Sequence, residues 1–255
     1  MALARADLES LLRTRQLDRT LTTTLAPVDP RDTFALAPSN IPGLDAGLGG
    51  GFPRGQLSEL VGSRSSGRTS LLLHLLAAAT ARGELTALVD ALDMLDVESA
   101  SAGGVDLDRL LWIRGHVVSN PGLCRDLNQR ALEQAIRALT LVLQAGNFGL
   151  VVFDVTEAPA DALRRLPFTT WLRLQRLIEG SQTACVLVGG QPMARSSAGL
   201  TLRLAAAGTR ESGFGIRFGD SLFEGLTVEA RVIRARAREH EEASVALSTL
   251  AADCA

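Results

Sequence analysis

The stretch GSRSSGRTS, residues 62 to 70, has the composition and spacing of a loop that holds phosphate. It follows a short apolar segment and opens a leucine-rich one, the strand-to-helix context such a loop requires. Glycines let successive backbone N–H groups turn inward, and a helix N-terminus adds partial positive charge, so phosphate oxygens can be held there. Gly62, Gly67 and Thr69 occupy the positions of the pattern G-x-x-x-x-G-K-S/T, and Ser65, Ser66 and Ser70 place hydroxyls around them. Arg68 stands where the pattern has lysine. Lysine is a compact charge on a flexible stem, whereas arginine is planar, bulkier and forked, so the exchange is not conservative at such a site. Weakened binding of ATP or ADP with Mg²⁺ is expected, and efficient phosphoryl transfer is not. The competing reading is a loop that merely turns the chain.

A second group of candidate residues lies in GLTVEARVIRARAR, 225 to 238. Arg234, Arg236 and Arg238 alternate and so share one face of a strand, with Arg231 on the other. Aligned guanidinium groups suit DNA phosphates or an acidic partner. Glu239, Glu241 and Glu242 follow at once, so an ordinary solvated face explains the pattern as well.

The remaining reactive side chains suggest packing. His74, His116 and His240 are scattered, and His74 falls in a leucine-rich helix as a packed, buried imidazole. Trp112 and Trp171 read as core or interface residues. Cys124, Cys185 and Cys254 are odd in number and widely spaced, which favours reduced thiols, and no C-x-x-C or H-E-x-x-H pattern gathers metal ligands.

The elements that must position these groups are legible from composition and periodicity. With 255 residues, 46% hydrophobic, and a mean hydropathy of +0.17, the chain can bury the core of one large α/β domain. The formal net charge of -2 gives no global pull toward a polyanion. No segment has the pattern of a signal peptide or a membrane span, so a cytoplasmic protein is expected. All 26 basic residues are arginine and tyrosine is absent, the bias of a GC-rich coding sequence.

Residues 5 to 19 read as an amphipathic helix joined by a linker, giving an N-terminal arm over 1–38. From Ile41 strands and helices alternate: strands at 56–62, 85–90, 110–114, 148–154 and 183–189, and helices at 69–82, 93–102, 126–144 and 160–179, the last interrupted by Pro167. Strands apolar on both faces and alternating with helices imply a largely parallel sheet covered on both sides. Shorter strands at 201–204, 213–218 and 225–238 imply an antiparallel extension that completes a core domain over 39–238. Residues 239–255 are expected to be a short, fraying helix.

The run GGFPRGQLSELVGSRSSGRTSLLLHLLAAA, continued by VDALDMLDVESASAGGVDLDRLLW, resembles the strand, loop and helix core of the RecA family over about residues 43 to 112. The later strand order extends the likeness more faintly to about 236. The resemblance implies that Asp154 helps to place Mg²⁺ and that Gln191 senses the terminal phosphate. It also implies a water-activating glutamate two residues after Asp90, where this chain has Leu92. Leucine accepts no proton, so no catalytic residue is expected there. The segments after Asp154 and Gln191 are short for the family's DNA loops, and its extra C-terminal domain has no counterpart in the pattern.

A RecA core with these losses, together with ALRRLPFTTWLRLQRLIEGSQTACVLVG and the closing arginine strand, is similar to the ImuA family of bacterial mutagenesis cassettes. That resemblance implies an adaptor in damage-induced translesion synthesis. Its partners would be an ImuB-type relative of Y-family polymerases, an error-prone C-family polymerase, and RecA or DNA. Two alternatives stand beside it: a divergent ATPase in which Asp93 or Glu98 positions water, and a modulator that caps RecA filaments through the N-terminal arm.

Overall fold

The computed structural model describes residues 36–115, 125–206, 216–217, 225–235 and 244–250. The N-terminal helix, His116, His240, Cys124, Cys254, Arg236 and Arg238 lie outside them. The chain enters through β1 (Leu36–Ala37), α1 (Pro42–Leu48) and β2 (Phe52–Pro53), with β1 and β2 paired antiparallel. Pro42 starts α1, where a missing N–H costs nothing, and left-handed Gly49 ends it, with Gly49 N donating to the Ala46 carbonyl and Gly50 N to that of Asp45.

The core alternates β3 (Leu57–Gly62), α2 (Arg68–Ala81), β4 (Thr86–Asp90), α3 (Val97–Ala102), β5 (Leu110–Arg114), α4 (Arg125–Ala145), β6 (Leu150–Asp154), α5 (Ala160–Arg164), α6 (Phe168–Ile178) and β7 (Ala184–Gly189). Pro167 separates α5 from α6, as the missing N–H and ring of a proline dictate. The chain closes with β8 (Ala198–Ala206), β9 (Ile216–Arg217), β10 (Gly225–Ala235) and β11 (Ser244–Leu250). The strand order is β11-β10-β8-β3-β7-β6-β4-β5, with β9 beside β10.

Strands β3, β4, β5, β6, β7 and β8 run parallel, while β10 joins β8 antiparallel and β11 joins β10 antiparallel. The antiparallel extension therefore begins one strand later than expected, because β8 pairs with β3 through a parallel register. The short connection after β7 permits this by reversing direction before β8 begins.

Each face of the sheet buries its own cluster. One holds Leu132, Leu139, Phe153, Trp171, Leu174 and Leu187, and the other Leu60, Leu76, Leu88, Val152, Leu200 and Leu202. The helices expected over 126–144 and 160–179 thus pack against the first cluster, and Trp171, expected in a core or an interface, lies in the core. At the end of the sheet opposite the phosphate loop, Arg54 donates to the carbonyls of Leu36, Gly149 and Gln182 and to Glu84, tying four segments together.

Two expectations are corrected. His74 is exposed on α2, because its position on the helix faces away from the sheet that Leu71, Leu72, Leu75 and Leu76 cover. Part of the expected C-terminal helix is instead strand β11. SVALSTL alternates along the open edge of β10, and the methyls of Val245 lie against Gly43 and Gly47 of α1, where the absence of side chains allows close approach.

Candidate functional site

Parallel strands deliver their C-terminal ends to one edge of the sheet, so the groups following β3, β4, β6 and β7 converge there. The loop after β3 takes Ser65 and Gly67 through positive φ, 57° and 84°, before Arg68 opens α2. Gly62 must be glycine, since a Cβ would meet Ser66 Oγ and lie 2.6 Å from the Leu204 carbonyl oxygen. Thr69 and Ser70 are exposed on the first turn of α2.

Arg68 is 5% exposed and Ser66 1% exposed, yet Arg68 Nη1 and Ser66 Oγ have no hydrogen-bond partner among the described residues. Nearly all buried polar atoms in folded proteins are paired, so two orphans on one phosphate loop suggest a place for a ligand. Burial holds the Arg68 guanidinium below its usual pKa, against the attraction of Asp154 and Glu157. A Cβ at Gly190 would lie 4.0 Å from Arg68 Nη1, which places the forked head beside the turn after β7.

Asp90 and Asp154 are register partners at the ends of β4 and β6. Asp90 accepts from Leu95 N at 2.9 Å and from Trp112 Nε1 at 3.3 Å, so half-buried Trp112 braces the turn after β4. Asp154 accepts from Thr156 N at 2.8 Å. Together Thr69 and Asp154 offer a hydroxyl and a carboxylate, the hard oxygen donors that Mg²⁺ takes alongside phosphate and water.

Desolvation pushes the Asp154 carboxyl above the ordinary aspartate range, opposed by the Thr156 contacts and helped by Asp90. A carboxyl with a raised folded pKa binds its proton more tightly when folded. Its stabilising contribution is complete below about pH 3.9 and disappears as pH rises through the raised value. Asp154→Asn is therefore expected to raise the melting temperature more at pH 7 than at pH 4, measured by scanning calorimetry. Equal shifts at both pH values would refute the assignment.

Leu92 stands where the resemblance to RecA implies a water-activating glutamate. Leu92 is half-buried and packs on the core. Asp93, an alternative base, is held by Arg114 through two hydrogen bonds of 2.7 Å. The Arg114 contact keeps its carboxyl below the usual range. Glu98 is exposed on α3.

Gln191 is exposed in the turn after β7, and only residues 192 to 197 separate it from β8. A residue that sequence reasoning missed holds this turn. The buried carboxylate of Glu59, in the middle of β3, accepts from Met193 N at 2.6 Å and Ala194 N at 2.7 Å through Oε1, and from Thr201 Oγ1 at 2.8 Å through Oε2. The available signal was an acid inside the otherwise apolar run QLSELVG.

Arg231 and Arg234, expected on opposite faces, share one. A bulge between Val232 and Arg234 inserts Ile233, so Arg231 pairs with Arg203 and Arg234 with Thr201, two residues that point the same way on β8. The exposed guanidiniums of Arg203, Arg231 and Arg234 thus stand on one side of the sheet, and Arg234 donates to the Arg195 carbonyl. Arg203, in direct cross-strand register with Arg231, had not been singled out.

A largely parallel sheet, a phosphate loop between its central strand and the following helix, and paired aspartates at neighbouring strand ends define a RecA-like α/β protein. The family model of the RecA N-terminal domain matches residues 30–161, and the chain belongs to that family. It is 40% identical over 131 residues to protein RecA of Clavibacter michiganensis subsp. michiganensis, covering 51% of this chain and 32% of that protein. Identity to protein RecA of Mycobacterium ulcerans is 36% over 129 residues, 50% of this chain and 33% of the relative. For protein RecA of Acholeplasma laidlawii it is 38% over 122 residues, 48% and 33%. The matches thus span about a third of the length of these relatives. Among the described residues no helix is long and apolar enough to cross a membrane.

Proposed function

We propose that this chain is a RecA-like accessory protein of the ImuA type, which binds nucleotide at residues 62–70 and acts in damage-induced mutagenesis through protein contacts instead of ATP turnover. An ImuB-type polymerase relative, an error-prone C-family polymerase, RecA and DNA are its candidate partners. The observation that carries this reading is the split state of the site. The loop keeps Gly62, Gly67 and Thr69, and Ser66 Oγ and Arg68 Nη1 have no partner among the described residues. Leu92 stands where the resemblance implies the base, and Asp93, one alternative, is committed to Arg114. A preorganised cradle without a group to orient water binds phosphate but does not hasten its transfer.

When bound, Mg²⁺ would neutralise phosphate charge. Thr69 and Asp154 would hold it, the loop and Arg68 would grip the phosphates, and Gln191 would lie beyond them.

The test is ATP binding by calorimetry alongside a turnover assay with and without single-stranded DNA. Saturable binding with no hydrolysis above the protein-free rate is expected. Brisk DNA-stimulated hydrolysis, abolished by Arg68→Ala, would establish the second reading, a divergent ATPase. That reading is favoured by the presence of Thr69, Asp154 and Gln191 at one sheet edge.

A further inference from the structure

The phosphate loop carries a second cation, Arg64, and its guanidinium donates to the carboxylate of Glu157 in the turn after β6. The two partners differ in freedom. The Arg64 side chain is 83% exposed, while that of Glu157 is 27% exposed. Glu157 sits in a turn pinned by Thr156 N to Asp154 and by Ala158 N to the Val155 carbonyl. Glu157 is also one of the two acids whose charge reaches Arg68, the other being Asp154.

A loop with two guanidiniums, inward N–H groups and a helix N-terminus concentrates positive charge. In the free protein an acid of the chain's own stands against that charge. We infer that Glu157 is an internal counter-ion of the phosphate loop, and that a polyphosphate displaces it by taking Arg64 from carboxylate to phosphate. The inference rests on the nucleotide-binding reading given above and adds a residue that sets its affinity.

The exchange needs little rearrangement. An exposed ion pair is weak and a long arginine side chain rotates freely, so Arg64 can change partner without moving the backbone. A di- or triphosphate presents several charges and geometry suited to a fork of N–H donors, whereas Glu157 presents one charge. The ligand class is therefore a polyphosphate, with or without a nucleoside.

The experiment measures dissociation constants of the full chain for ATP, ADP and inorganic tripolyphosphate. It compares wild type, Glu157→Gln, Arg64→Ala, the double variant of these two, Arg68→Ala, and Glu133→Gln on α4 as a control for bulk charge. Glu157→Gln is expected to tighten binding of all three ligands about fivefold, the scale of an exposed ion pair. Arg64→Ala should weaken it, and the gain from Glu157→Gln should shrink in the double variant, leaving only the part that acts through Arg68. Unchanged affinity in Glu157→Gln, an undiminished gain without Arg64, or an equal gain in Glu133→Gln overturns the inference. If wild type binds and Arg68→Ala abolishes binding while Glu157→Gln has no effect, only the counter-ion role falls. If wild type and every variant fail to bind any of the ligands, the nucleotide-binding reading falls with it.

Discussion

Glu59→Ala is expected to destabilise the fold by about 3–5 kcal/mol, the scale of breaking a buried, hydrogen-bonded charge. The carboxylate is 1% exposed and accepts from two consecutive backbone N–H groups and one hydroxyl. Alanine leaves Met193 N, Ala194 N and Thr201 Oγ1 buried without that acceptor, together with a cavity. A loss of this size corresponds to roughly 10 °C in melting temperature for a chain of this length.

Glu59→Gln should cost only about 1–2 kcal/mol. Its amide oxygen keeps both N–H bonds, and its NH₂ can donate to Thr201 if the hydroxyl proton turns elsewhere. Guanidinium chloride unfolding followed by circular dichroism distinguishes the two variants. If both unfold with the wild-type midpoint and slope, the carboxylate is not what holds the turn carrying Gln191 to β3.

Arg68→Met should separate stability from binding. The guanidinium is desolvated and its Nη1 has no partner among the described residues, so an apolar chain of similar length is expected to leave stability unchanged or raise it by about 1 kcal/mol. Hydrogen bonds to charged groups are worth about 1.5–3 kcal/mol, so losing one from the phosphates should weaken ATP binding by roughly 10- to 100-fold. Calorimetric unfolding and titration read the two effects independently. A variant that melts much earlier yet binds ATP as wild type does would make Arg68 a structural residue, and the phosphate-loop reading would lose its central side chain.

Residues 57 to 90 show how far a chain can be read without coordinates. The strand and helix around the loop are local facts of composition and period, and the folded chain forms them where the pattern put them. Arg231 was misassigned to a face because a single inserted residue, Ile233, reverses strand parity, and bulges leave little trace in sequence. Residues 244–250 fall within the stretch 239–255 expected to be a short helix. The open edge of β10, the strand just before them, and the glycines of α1, far away in sequence, make them a strand.

By itself the sequence determined the largely parallel α/β class and the strand, glycine-rich loop and helix that carry Gly62, Gly67 and Arg68, since each depends on residue identity and short-range spacing. The tertiary structure alone decided that Arg68 is buried with an unsatisfied nitrogen, that Glu59 reaches Met193 and Ala194, and that Arg64 meets Glu157. Those partners lie tens to more than a hundred residues apart in the chain. They meet because parallel pairing of β3, β6 and β7 brings their strand ends together, and no pattern confined to neighbouring residues encodes that register.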